Sequence, residues 1–151
     1  MVRTHRLMAV QGAALIVAAA FLIVGVLGFL PGVTTDHDLL QFAGHHSGAK
    51  LFGVFTVSVL HNLLHMAFGV VGMVMARTYA LARAYFLLGG LAYLGLWSYG
   101  LLINHDHPMN VIPVNNADNW LHLGLGITMA LLGVTLAGQH DPTKRRTKVH
   151  S

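Results

Sequence analysis

Apolar residues gather into four long runs, separated by short polar stretches rich in Pro, Asn, Asp and His. Each run is close to the ~20 residues a helix needs to cross the hydrocarbon core of a bilayer. The runs cover about 7–30, 51–76, 80–103 and 119–138. In lipid, backbone polar groups must be satisfied within the segment, which favours helices. The pattern therefore predicts an all-α fold: an integral membrane four-helix bundle forming a single transmembrane domain over residues 1–151, with outer loops at about 31–50 and 104–118. With Arg77 setting the lower end of the second span, its crossing part is about 57–76. Residues from Ser47 to Thr56 then read as an outward extension of the same helix. The outer loops hold Pro31, Pro108 and Pro113 with Asn104, Asn110, Asn115 and Asn116, and should turn repeatedly with little regular structure.

Composition supports this reading. Hydrophobic residues make up 55% of the chain and charged residues 9%, against roughly 25% charged in an ordinary soluble domain. A soluble fold of this size could not build a polar skin from so few charges. A mean hydropathy of +0.63 excludes a disordered chain. Arg3 and Arg6 precede the first run as they would in a secretory signal, but the run is too long for one. It also passes through Gly28-Phe29-Leu30-Pro31-Gly32 without an Ala-x-Ala cleavage pattern, so a retained span is expected.

Basic residues orient the spans. Arg3, Arg6, Arg77, Arg83, Lys144, Arg145, Arg146 and Lys148 all fall on one side, and only Lys50 falls on the other, with Asp36, Asp38, Asp106 and Asp118. Both ends of the sequence are expected in the cytoplasm, the protein in the plasma membrane as a multi-pass chain, and the two loops outside. The pI of 9.9 follows from this asymmetry. The Lys144-Arg145-Arg146 cluster reads as a tail touching anionic lipid rather than as a nucleic-acid patch. The expected partners are the lipid bilayer and a membrane-protein complex or homo-oligomer, with no nucleic acid.

Several chemistries are absent from the inventory. There is no cysteine, hence no thiolate ligand or nucleophile, and no glutamate, hence no Glu-x-x-His or His-Glu-x-x-His metal motif. No phosphate-cradling loop or dinucleotide fingerprint occurs. Ser47 beside His45 and His46 lacks a defined scaffold for nucleophilic chemistry. No span carries a carboxylate or a basic residue well inside it, which does not encourage transport. The reading leans away from an enzyme and names no catalytic residue.

Helical spacing organises what remains. Ser58, His61, His65, Gly69, Gly72 and Ala76 fall on one stripe of the second span, and Asn119, His122, Gly126, Ala130, Gly133 and Ala137 on one stripe of the fourth. Small and polar residues in lipid face other helices, so both stripes should turn inward, toward each other. Asn62-Leu63-Leu64-His65-Met66-Ala67-Phe68-Gly69 also echoes Asn119-Trp120-Leu121-His122-Leu123-Gly124-Leu125-Gly126. A parallel repeat of two helical hairpins and coincidence in a Leu- and Gly-rich chain both explain the echo. In depth, His61 matches His122 better than His65 does.

Eleven histidines are the anomaly of the composition. His5, His140 and His150 read as cytoplasmic, and His37, His45, His46, His105 and His107 as outer-loop residues. His61, His65 and His122 lie within spans, where an ionisable group is costly and invites a functional explanation. Three readings stay open. In the first, His61 and His65 at i and i+4 join His122 as ligands of zinc or copper. Asp118 or water would be the fourth ligand, Asn62 and Asn119 would support the site, and His45 or His46 would form a lid. In the second, His65 or His61 pairs with His122 on haem b. In the third, no cofactor is bound: His61, Asn62, His65, Asn119 and His122, with Trp97 and Tyr99, form a hydrogen-bond network in an accessory or structural subunit of a larger complex.

Three motifs carry a resemblance. Gly44-His45-His46-Ser47-Gly48-Ala49-Lys50-Leu51-Phe52-Gly53, then Val57-Ser58-Val59-Leu60-His61-Asn62-Leu63-Leu64-His65, then Ile112-Pro113-Val114-Asn115-Asn116-Ala117-Asp118-Asn119-Trp120-Leu121-His122 resemble the actinobacterial four-span membrane family of unknown function (domain of unknown function 4383). The resemblance runs from about Gly25 to Gly138 and implies a small integral protein of the cytoplasmic membrane. It implies no activity, substrate or cofactor. The lead expectation is a non-enzymatic membrane protein with an outward-facing histidine cluster that binds a transition metal.

Overall fold

The computed structural model describes residues 7–136. Four helices dominate: α1 (Ala9–Leu27), α2 (Val59–Met75), α3 (Tyr79–Leu102) and α4 (Asn116–Thr135). Of these, α1 and α3 are long and apolar enough to cross a membrane, and α2 is a shorter apolar helix. The outward faces are greasy: Ile16, Leu88, Leu91, Leu131 and Val134 are each more than half exposed. His5, His140 and His150, and the basic residues Arg3, Arg6, Lys144, Arg145, Arg146 and Lys148, lie outside the described residues.

Residues 47–56 do not extend α2. Lys50–Leu51 (β2) and Phe55–Thr56 (β3) form an antiparallel hairpin, and Thr34–Thr35 (β1) pairs with β2 to complete a small sheet of order β1-β2-β3. At the hairpin tip Phe52 and Gly53 both have positive φ, 54° and 71°, as a tight type I′ turn requires. That turn breaks the helix pattern. The chain enters α2 only at Ser58, whose Oγ accepts the His61 backbone N–H at 3.1 Å. The segment between α1 and α2 is thus more ordered than its composition suggests. Ala49, Leu51 and Val57 form a small core of their own beneath it, with Val24 and Leu27 of α1 packed against them.

The helices pack as two antiparallel pairs, α1 with α2 and α3 with α4, and several contacts in one pair have a counterpart in the other. The Asn62 amide fills the space a Cβ would need at Gly28, and the Asn119 amide does the same at Gly100. Gly69 lies on Leu22, and Gly126 on Leu94. At the opposite end, Gln11 donates to the Ala76 carbonyl at 3.0 Å, and Arg83 to the Gly133 carbonyl at 3.3 Å. Phe21 and Tyr93 hold matching positions and stack on each other across the middle, with centroids 5.5 Å apart. The echo between the second and fourth spans is therefore a repeat of packing as well as of sequence.

The inward stripes divide their work. Ser58, His61, His65, Gly69, Gly72 and Ala76 are all buried, as are Asn119, His122, Gly126 and Gly133. The glycines do not face each other, however: Gly69 admits α1, Gly72 lies against Tyr85 of α3 as well as Ala18 of α1, and Gly126 and Gly133 admit α3. Small residues serve the close contact within each pair, and the bulkier histidines occupy the wider space between pairs.

A Cβ at Gly100 would meet the Asn119 amide, which is itself held to the Gly100 carbonyl at 3.0 Å. Gly100→Ala is expected to cost about 1–3 kcal/mol through overpacking. Gly95→Ala, whose Cβ meets open space, should leave stability unchanged or slightly raised. Thermal unfolding in detergent would show the contrast, and equal midpoints would refute this account of the pair contact.

Candidate functional site

The repeat delivers polar side chains to one place. Ser58 and Asn115 are equivalent N-caps, and three residues after each stand His61 and Asp118. His65 and His122 follow one turn later. Two i, i+4 pairs, His61/His65 and Asp118/His122, thus project from α2 and α4. All four residues line one cavity of about 190 Å³. A second cavity, of about 170 Å³, reaches His61, His65 and His122 from the opposite side.

The three imidazoles are 5%, 9% and 2% exposed for His61, His65 and His122. The His61 ring stacks on His65 at 4.6 Å and stands 6.3 Å from His122. Phe21 stacks on the far face of the cluster, 5.7 Å from His65, and Tyr93 lies 5.6 Å from His122. These aromatic partners were not singled out from the sequence. An aromatic residue inside an apolar run looks like any core residue until the helices are paired.

Hydrogen bonding leaves the cluster incomplete. Nδ1 of His61, His65 and His122 is buried without a partner, as are both side-chain polar atoms of Asn62 and Oδ1 of Asn119. The His61 ring donates to the Thr56 backbone carbonyl. In the neutral ring its unpartnered Nδ1 then carries the lone pair, as a metal-ligating histidine oriented by a carbonyl does. Among the described residues no group of three His, Cys, Asp or Glu side chains is drawn together tightly enough to hold a metal ion. His61 and His65 stack and His122 stands tilted beside them, rather than the three converging on one point.

Asp118 has a second task. Its Oδ2 accepts the Asn115 N–H at 2.9 Å, closing a capping box on α4, and the Thr56 N–H at 3.1 Å. Asn115 Nδ2 donates to the Val54 carbonyl at 2.8 Å and to Thr56 Oγ1 at 3.0 Å. Strand β3 is thereby tied to the head of α4, and Thr56 links His61 to Asp118. Asn119 supports packing through Gly100. Tyr99 turns its hydroxyl to the Met109 carbonyl at 2.7 Å. The His45 and His46 rings lie 3.8 Å apart, tilted by 41°, in the loop before β2, and line neither cavity.

A family model described as Domain of unknown function (DUF4383) matches residues 11–135, most of the chain and all four helices. The chain belongs to this family. No curated protein and no solved structure matches it. The matched segment contains both halves of the repeat and every residue of the histidine cluster, so the family fold and the candidate site are coextensive.

Asp118 sits in the capping turn, above the apolar part of α4. Burial pushes its carboxyl up toward neutrality, against the Asn115 and Thr56 N–H groups that draw it down. A carboxyl that keeps its proton to higher pH when folded loses stability as pH rises. For metal-free protein, unfolding stability should therefore fall from the ordinary carboxylate range near pH ~4 toward neutrality, relative to Asp118→Asn. Parallel pH profiles for the two proteins in a detergent melt would remove this assignment.

Proposed function

We propose that this DUF4383 protein is a multi-pass protein of the plasma membrane, with all four helices crossing and both ends of the sequence in the cytoplasm. Its outward-facing centre binds a transition metal, zinc or copper. The membrane reading is supported by the apolar outer faces and by two helices of spanning length and composition. It also draws on Trp120, 73% exposed at the head of α4, where an amphipathic ring suits a lipid–water boundary.

One observation carries the metal reading: two i, i+4 pairs, His61/His65 and Asp118/His122, line one cavity with three imidazole Nδ1 atoms unpartnered. Three nitrogens and one oxygen suit a tetrahedral zinc ion and are compatible with copper. Binding would draw the stacked rings inward and satisfy nitrogens whose burial is otherwise uncompensated. A cation beside Asp118 would also return its carboxyl to the ionised form. Haem fits less well, because cavities of about 170 and 190 Å³ fall below the ~300 Å³ at which cofactor pockets begin. The accessory-subunit reading needs a free stripe of small residues on α3. Gly90 is already used against α4, which leaves Gly95.

Elemental analysis of protein purified in mild detergent, without a polyhistidine tag or chelator, is expected to give about one zinc or copper per chain. His61→Ala and His122→Ala should each reduce it to background while membrane insertion persists. Full occupancy in both variants would overturn the ligand assignment.

A further inference from the structure

A third cavity, of about 200 Å³, is the counterpart under the internal repeat of the one lined by Phe68 and Tyr93. The latter runs between α2 and α3, past Leu64, Phe68, Ala92 and Tyr93. Its counterpart runs between α1 and α4, past Leu121, Leu125, Ala20 and Phe21, and shares Val24, His65 and Leu121 as lining with the cavity beside Asp118. Both clefts open on the seams between helix pairs, among exposed apolar side chains, and both end on the buried, unpartnered imidazoles.

We infer that these twin clefts admit the ring head of a membrane quinone or quinol from the bilayer and present it to His61, His65 and His122. The inference rests on the membrane reading and applies to the protein without bound metal, since a metal ion would occupy the same three nitrogens. Four features select this ligand class. The walls are apolar almost to the end of each cleft, so the ligand must be apolar over most of its length. Each cleft ends on ring nitrogens in need of a partner, so the head must form hydrogen bonds: a quinol O–H donates to a nitrogen that carries the lone pair, as His61 Nδ1 does, and a quinone carbonyl accepts from one that carries the proton. No Lys or Arg lines either cleft, so a neutral head fits and a carboxylate or phosphate does not. Phe68 and Tyr93 line one cleft and Phe21 the other, so a planar head fits best between these aromatic walls. Volume agrees: an apolar cavity of ~150 Å³ takes a benzene ring, and these are slightly larger and open at one end.

The test uses full-length protein in nanodiscs and a photoreactive azido-benzoquinone with a decyl tail. Labelling is expected to saturate, to be competed by unlabelled decyl-benzoquinone, and to map to peptides flanking the two seams. Leu64→Trp and Leu121→Trp, each sealing one cleft, should each remove about half of the competed label, and His65→Leu should lower it at least five-fold. Label that does not saturate, or that is unchanged in all three variants, overturns the inference. Carbonate-resistant retention of the same protein in native membranes separates the causes. If the protein is retained, failure of labelling strikes the quinone inference alone; if it is extracted, the membrane reading itself has failed.

Discussion

The seating of a buried amide on a glycine, Asn62 on Gly28 and Asn119 on Gly100, sets the register from which the remaining architecture follows. An amide fits there only because glycine has no Cβ, and it holds each even-numbered helix at one height against its odd-numbered partner. With that height set, the residue one turn further along, His65 or His122, faces the space between pairs. The glycine after that, Gly69 or Gly126, receives a leucine from the partner helix. The histidine cluster is thus a consequence of how each pair closes, repeated twice.

Burial makes the arrangement consequential. In an apolar interior, a polar atom without a partner costs free energy that water would otherwise offset. The bundle satisfies its polar groups at the edges: Gln11 and Arg83 close the ends of α2 and α4, and Asp118 and Ser58 cap their beginnings. At the centre it leaves three imidazole nitrogens open.

The two halves match in packing and differ in chemistry. His61 and Asp118 hold equivalent positions, yet one brings a ring nitrogen and the other a carboxyl. Phe21 and Tyr93 are likewise equivalent, but only the tyrosine carries a hydroxyl. The outer segments diverge most: the first folds into a three-stranded sheet that covers the cluster, while the second is an irregular loop tied down through Tyr99 and Gly44. The sheet connects to the centre through Thr56, which touches both His61 and Asp118. A shared scaffold with unlike loops gives the cluster one covered side, and sets three imidazoles beside one carboxyl.

Local periodicity alone was enough to place the four helices, to mark the buried stripes of α2 and α4, and to single out His61, His65 and His122, because helical spacing is written in neighbouring residues. The β hairpin at 50–56 was not read, since a short apolar run looks the same in a strand or a helix; the turn at Phe52-Gly53 and the β-branched Val54, Thr56 and Val57 were the available signal. The Asp118/His122 spacing was also present, but its likeness to His61/His65 is hidden when the residue types differ. Only the tertiary structure could decide that glycines pair α2 with α1 and α4 with α3, that Phe21 meets Tyr93, and that two clefts reach the cluster from opposite seams. Those facts depend on which helix approaches which and how closely. Distance between helices is set by the side chains of both at once, and no single stretch of sequence contains it.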